Sequence, residues 1–181
     1  MQIDPLNITL RRARLSDTEF VSEMRTQPSS RRFQASPVRT LDQIRGILNE
    51  TVDAPLTNPS VGRFYWIAEY EQRPIGMIQV ALFSTDRTQN DATLGYTVAE
   101  TFQGRGVATA MTSQIIPIAF DRAGLALGRL EAVAAVGNVA SRRVLEKCGF
   151  QFEGIQRGLL VIGGERVDHA CYALLESDDI A

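Results

Sequence analysis

The sequence is short of several things, and each shortage removes a class of function. Its formal net charge is only −2, so no basic field is available to hold nucleic acid or an anionic membrane surface. Cys148 and Cys171 are the two thiols in 181 residues. That is too few for a disulfide framework, and buried reduced cysteines in a cytoplasmic protein are the expectation. No apolar run approaches ~18 residues, so no membrane span is expected. The opening Met1-Gln2-Ile3-Asp4-Pro5 lacks a basic end followed by an apolar stretch, so no secretory leader is expected. Histidine occurs once, as His169, and any imidazole chemistry falls on it. Repeats, low-complexity tracts and linkers are absent. The length suits one domain over 1–181 with a single sizeable core.

What the sequence does have is Gln103-Gly104-Arg105-Gly106-Val107-Ala108. Leu94 to Val98 ahead of it is an apolar, β-branched and aromatic run that reads as a strand. Behind it Val107, Met111 and Ile115 recur every four residues, the spacing of one helix face. A strand therefore enters a glycine-bearing turn and leaves as a helix. The first N–H groups of such a helix converge on one point, where the helix dipole also favours negative charge. Gly104 and Gly106 remove the side chains that would block close approach. From these six residues alone, a pyrophosphate cradle and an ordinary strand-to-helix connection are both open. Two other phosphate loops are excluded. The dinucleotide fingerprint needs a third glycine where Thr109 stands, and no G-K-[ST] run follows four free residues anywhere.

Taken in order, Ile8 to Arg14 reads as a first strand. Ser16 with Glu19 predicts a capping box for a helix carrying Phe20, Val21 and Met24, which Pro28 stops. Gln27 to Pro37 reads as a polar loop. Thr40 with Gln43 predicts a second capping box, with Leu41, Ile44, Ile47 and Leu48 on the helix face. Arg63 to Glu71 and Ile75 to Phe83 read as a hairpin turning at Gln72-Arg73-Pro74. Ser84 to Asp91 reads as a polar loop and Ala92 to Val98 as a strand. Pro117 should kink or end the long helix that follows. Leu130 to Ala135 reads as a buried strand. Val139 to Cys148 reads as a helix capped by Asn138 and ended by Gly149. Phe152 to Ile162 and Arg166 to Leu175 read as a hairpin turning near Gly163-Gly164.

Gln103-x-x-Gly106-x-Ala108 resembles the acetyl-coenzyme A signature [QR]-x-x-G-x-[GA] of the GNAT acetyltransferase superfamily. Asn138-Val139-Ala140-Ser141 leading into Leu145-Glu146-Lys147-Cys148-Gly149-Phe150 resembles the N-x-x-S…L-E-K-x-G-F block of the RimJ/RimL-type branch, which acetylates ribosomal-protein N-termini. Asp168-His169 followed by Tyr172 looks like that branch's final strand. The resemblance implies an α+β fold: a mixed, mostly antiparallel seven-stranded sheet flanked by about four helices. The sheet splays in the middle to hold coenzyme A, with the thioester near Thr97 to Ala99. It also implies that acetyl-CoA is the cosubstrate and that the amine attacks it directly. No metal and no covalent enzyme intermediate are then needed.

The resemblance places Val98, Gln103, Gly104, Arg105, Gly106, Val107, Ala108, Thr109, Asn138, Ser141 and Lys147 at the cofactor. It places Ser141 beside the sulfur, as proton donor to the leaving thiolate, with Tyr172 as the next hydroxyl brought toward it. Each has a plainer reading as well: Asn138 as a helix cap, Ser141 bonded to its own helix, Lys147 and Arg105 solvated, Tyr172 in the core. Arg31, Arg32 and Phe33 fall in the region that faces the acceptor in this fold. Glu131, Glu69 and Glu71 read either as a base or as carboxylates paired to arginine. Asp168 and His169 read as a paired acid and imidazole or as structural residues. Phe64, Tyr65 and Trp66 read as packing. Two departures from the family pattern stand out: no glutamate precedes Gly95-Tyr96, and none stands at Gly158-Leu159-Leu160. Both leave the general base open.

The acceptor expected is a primary amine. An α-amine has a pKa of about 8 and lysine about 10.4, so at neutral pH roughly a tenth of α-amines are uncharged against well under a thousandth of lysines. A site without an obvious base suits a protein or peptide N-terminus better. A small-molecule amine is the alternative within enzymes, and a non-catalytic acyl-CoA sensor the alternative outside them. A monomer or homodimer without nucleic-acid or membrane partners is expected.

Overall fold

The computed structural model describes residues 4–35, 37–58, 61–84 and 90–178. Most of the predicted Ser84–Asp91 loop, and the Met1–Pro5 opening up to Ile3, lie outside the described residues. The described residues form one seven-stranded sheet in the order β1-β2-β3-β4-β5-β7-β6. The strands are β1 (Thr9–Arg12), β2 (Arg63–Tyr70), β3 (Arg73–Leu82), β4 (Asp91–Val98), β5 (Arg129–Ala135), β6 (Gln151–Ile162) and β7 (Glu165–Leu175). Only β4 and β5 run parallel; every other pairing is antiparallel. The helices are α1 (Thr18–Thr26), α2 (Pro28–Phe33), α3 (Leu41–Asn49), α4 (Val107–Phe120) and α5 (Val139–Lys147).

Both faces of the central strands are covered, which is why they read as unbroken apolar runs. Strand alternation divides the consecutive aromatics of β2. Phe64 and Trp66 pack with Met111 and Ile115 of α4, whereas Tyr65 and Ile67 pack with Val21 and Met24 of α1 and Ile44 and Leu48 of α3. All three aromatics are buried, so the packing reading of them holds. Arg12 stacks over both Phe64 and Trp66, 5.0 and 5.5 Å from their ring centroids.

Several local expectations hold. Thr40 and Gln43 form the reciprocal capping box, at 3.2 and 3.0 Å. The Asn138 side chain accepts from the Ser141 N–H at 3.2 Å, and Gly149 ends α5 at φ 87°. Gly163 and Gly164 turn the last hairpin at φ 60° and 89°.

Others are corrected. Ser16 and Glu19 form no capping box. Asp17 takes that place, its carboxylate accepting from the Arg14 N–H at 2.7 Å and from both Arg11 Nη atoms at 2.7 and 2.8 Å. Gln27 to Pro37 is not all loop, because Pro28 starts a helix. Its fixed φ suits the first helical position, and its missing N–H would have been unbonded there anyway. That raises the helix count from four to five. The first hairpin turns at Glu71-Gln72, both at positive φ, one step earlier than Gln72-Arg73-Pro74. The long helix does not end at Pro117 but continues to Phe120. Proline removes one donor, to the Ser113 carbonyl, and neighbouring packing holds the last turn.

Candidate active site

β4 and β5 pair only from Asp91↔Arg129 to Leu94↔Ala132. Beyond that β5 stays with β7 up to Ala135↔His169, while β4 stays with β3 up to Val98↔Gly76. The sheet therefore opens into a wedge between Tyr96–Val98 and Val133–Ala135, as the resemblance implied. Its cleft has a volume of about 780 Å³. The edge that β4 presents can be worked out. Ala99 N–H bonds Ile75 O and Phe83 N–H bonds Asp91 O, so the odd-numbered residues of β4 bond β3. Tyr96 and Val98 then aim their N–H and C=O groups into the wedge. Both carbonyls are already satisfied: Tyr96 O accepts from Gln34 at 3.1 Å, and Val98 O from Gln27 at 2.9 Å and Gln103 at 3.0 Å. The N–H groups of that edge remain as donors.

One end of the cleft is the turn into α4. Gly104 and Gly106 have φ 71° and 80°, the left-handed region that a side chain disfavours. Gly106 is the N-cap, and its carbonyl accepts the first intrahelical bond, from Ala110 N–H at 2.9 Å. The N–H groups of Val107, Ala108 and Thr109 thus have no intrahelical partner. All three residues, with Gly104 and Gly106, line the cleft. The Gln103 side chain braces the turn by bridging Val98 O and Ser29 Oγ, each at 3.0 Å. Arg105 stands in the turn but does not line the cleft.

Across the wedge, α5 presents Ser141. Its Oγ lies 2.9 Å from the Tyr96 hydroxyl, which also donates to the Ser141 carbonyl at 3.1 Å. Burial pushes the Tyr96 hydroxyl up to about 12, the Ser141 bond offsetting this in part, so Tyr96 keeps its proton at neutral pH. Sequence reading missed this partner, because Tyr96 reads as one more aromatic in a buried strand. The signal available was its place two residues before the end of the strand that feeds the cradle. Asn138, Arg143 and Lys147 also line the cleft.

Tyr172 is not brought to the cleft. It is buried, accepts from Arg142 at 3.1 Å and donates to Glu146 Oε1 at 2.8 Å. β7 turns this side chain under α5, which gives it the core role. Glu131 pairs with Arg129 at 2.9 Å and Glu69 with Arg11 at 2.8 Å, the arginine-paired reading of both. Asp168 does not pair with His169. It accepts from Gly158 N–H at 2.7 Å, where β6 and β7 change register. His169 instead places Nδ1 2.9 Å from the Val167 carbonyl. A carbonyl only accepts, so Nδ1 carries a proton. His169 lines the cleft; no Asp or Glu does among the described residues. Of the three residues expected to face the acceptor, Phe33 lines the cleft, Arg31 lines an adjoining pocket, and Arg32 is exposed, stacked on Phe33 at 4.9 Å.

These residues fit coenzyme A. Three unbonded helix N–H groups suit a pyrophosphate, Arg143 and Lys147 add positive charge, and the N–H groups of the β4 edge suit an amide-bearing arm. Among the described residues no cluster of three or more His, Cys, Asp or Glu is gathered, and no helix is long and apolar enough to cross a membrane.

Comparison with known proteins agrees with this geometry. Residues 7–151 match the model of the acetyltransferase (GNAT) domain. YdaF of Bacillus subtilis (strain 168), provisionally named a ribosomal N-acetyltransferase, is 38% identical over 109 residues, 60% of this chain and 57% of its own. YjcK of the same organism, provisionally named an N-acetyltransferase, is 38% identical over 101 residues, 55% of each. The matched stretch thus spans little more than half of these relatives. Among solved structures, a spermidine N-acetyltransferase chimera of Vibrio cholerae SpeG and hSSAT superposes with a TM-score of 0.79. It covers 94% of this chain and 96% of the other at 20% identity, a likeness of fold. With the family model covering most of the sheet and both cofactor motifs, the chain belongs to the GNAT acetyltransferase domain family, and its likeness to YdaF fits the RimJ/RimL-type branch.

Proposed function

We propose that this protein transfers acetyl from acetyl-CoA to the α-amine of a protein or peptide N-terminus by direct attack of that amine. The observation that carries the reading is the wedge, with unbonded helix N–H groups at one end and the Ser141–Tyr96 hydroxyl pair in its wall. Bound acetyl-CoA supplies the acetyl group as an activated thioester. The turn Gly104–Thr109 holds the pyrophosphate, with Asn138, Arg143 and Lys147 on the α5 side. The Val98 N–H, on the open β4 edge, donates to the oxygen that gains charge during transfer. Ser141 donates its proton toward the departing sulfur. Tyr96 keeps its proton and holds the Ser141 side chain in place through the 2.9 Å contact, and water returns the proton that Ser141 gives up. His169 lines the cleft, and we assign it the proton shed by the attacking amine.

The absence of a carboxylate among the described lining residues disfavours a polyamine, whose cationic arms need acidic partners. The hydroxyl pair and the imidazole disfavour a pure sensor, which needs neither. The test is incubation with labelled acetyl-CoA and a mixed set of peptides and small amines, followed by identification of the labelled products. Label on peptide α-amines is expected. Label on polyamines alone, or coenzyme A binding with no labelled product, would overturn the reading.

A further inference from the structure

Beside the cleft lies a second pocket of about 430 Å³, between α1, α2, the segment leading to α3, and the β6 end of the last hairpin. Arg25, Arg31 and Arg39 line it, facing Val161, Ile162 and Gly163. No carboxylate lines it among the described residues, and none of the three arginines takes part in a described ion pair. Arg25, Gln34 and Ala35 belong to the walls of both cavities. Gln34 in turn holds the Tyr96 carbonyl and the Thr97 hydroxyl at the open edge of β4, each at 3.1 Å. The arginine pocket therefore opens beside the part of the cleft where the acetyl group would be presented.

Arg25 is the informative residue. Its Nε is buried and has no hydrogen-bond partner. Burial and then the like charge of Arg39 push its pKa down, with Tyr65 opposing and Arg63 adding to the shift. A guanidinium drawn out of water without a counter-ion is costly, and three cations around one small pocket repel one another. An anion in the pocket would relieve both. Forked arginine donors match a carboxylate in shape as well as charge.

We propose that this pocket is an anion subsite for the acceptor, holding a carboxylate carried close to the reactive amine: the side chain of an aspartate or glutamate near the N-terminus of a peptide. The inference rests on the reading of the cleft as the site of acetyl transfer to an α-amine. A cationic acceptor would meet three like charges there. A free amino acid could present its own α-carboxylate to the same arginines, so the test separates the two sources.

The full chain is assayed at saturating acetyl-CoA with peptides whose first two residues carry Asp or Glu, with their Asn and Gln isosteres, and with Lys versions. Free aspartate, free glutamate and spermidine are included. Binding of the same peptides to coenzyme A-loaded protein is measured by calorimetry. The acidic peptides should exceed their amide isosteres by roughly 10- to 100-fold in kcat/KM, most of it in KM, as expected for hydrogen bonds to a charged group. Arg25→Gln and Arg39→Gln should each bring that ratio toward one, and Arg39→Glu should shift preference toward the Lys peptides. Arg39 is partly exposed, so its variants keep the test intact should Arg25→Gln fail to fold.

Equal rates for acidic, amide and Lys peptides would overturn the subsite and leave acetyl transfer standing. Tight, charge-selective binding of acidic peptides without turnover would support the subsite and overturn the transfer. Free amino acids outrunning peptides would support the subsite with an α-carboxylate as its occupant and overturn the peptide assignment. Spermidine as the fastest acceptor, or neither binding nor turnover of any peptide, would overturn both.

Discussion

The two walls that meet at the splayed sheet are built by different means. The cofactor side is mostly backbone: unbonded N–H groups at the start of α4, two glycines at positive φ, and the free edge of β4. Side chains there act as braces, as Gln103 does. The wall proposed for the acceptor is mostly side chain: Phe33 at the cleft, and Arg25, Arg31 and Arg39 brought from separate segments to one pocket. Backbone donors are the same whatever the residue, so the first wall suits a ligand that does not change. Side chains can be exchanged without moving the sheet, so the second wall suits the proposed choice of substrate. The difference predicts that the two walls fail separately.

The largest effect is expected at the cradle. Gly106→Asp forces a side chain into the left-handed region, within 3.2 Å of Pro5 Cγ, and sets a carboxylate against the pyrophosphate. Strain of about 1–3 kcal/mol plus like-charge repulsion should lower coenzyme A affinity at least about 100-fold by calorimetry. Gly104→Ala, whose added Cβ meets nothing within 4 Å, carries only the strain and should cost roughly tenfold. If both variants bind normally, the backbone wall is not the phosphate site.

The next effect tests the join between the walls. Ser141→Ala should lower kcat by roughly 10- to 1000-fold under conditions where chemistry is rate-limiting, with little change in acetyl-CoA affinity, because the bond strengthens as the sulfur gains charge. Tyr96→Phe should act in the same direction and less, since it removes only the hydroxyl that holds Ser141 in place. The sign with pH follows from Tyr96: its value is raised, to about 12, so the proton is held through pH 10. The kcat profile should show no basic limb below about pH 10 from this group. A limb near neutrality that vanishes in Tyr96→Phe would contradict the assignment.

A smaller and selective effect is expected on the acceptor wall. Replacing Arg31 and Arg32 together with alanine should raise the acceptor KM by roughly 3- to 30-fold, a loss of about 1–2 kcal/mol of binding, and leave the acetyl-CoA constant nearly alone. The opposite split would move these arginines to the cofactor side. Because Arg32 stacks on Phe33 outside both cavities, Arg31→Ala alone should reproduce most of the change.

The smallest effect should come from Tyr172→Phe, outside both walls. Loss of its bonds to Arg142 and Glu146 should cost about 1 kcal/mol of stability by denaturant titration. Turnover should stay within about twofold. A large loss of kcat without loss of stability would return Tyr172 to the chemistry.

The same contrast explains what the sequence made legible. The cradle could be read because backbone sites are written locally: strand, glycine turn and helix lie within about two dozen consecutive residues. The Asn138 cap, the Gly149 stop and the Gly163-Gly164 turn were legible for the same reason. Pro28 does stop α1, as read, but it also begins α2, so the loop read over Gln27 to Pro37 was wrong there: proline suits both places. Ser16–Glu19 was misread because Arg11, from the preceding strand, captured Asp17 for a different cap. Tyr96 and Ser141 are 45 residues apart, and Arg25 and Arg39 meet only through the fold. Such pairings leave no spacing to detect. Asp168 and His169 are adjacent in sequence yet engage different partners, Gly158 and Val167, because neighbours on a strand point to opposite faces.

The most direct test of the central claim is a single competition. The purified protein receives labelled acetyl-CoA together with equal amounts of an acidic peptide with a free N-terminus, its N-terminally blocked lysine-bearing counterpart, and spermidine, and mass spectrometry identifies the labelled atom. Acetyl on the α-amine of the acidic peptide, formed fastest, is the result predicted. Acetyl mainly on spermidine or on the lysine ε-amine would contradict it.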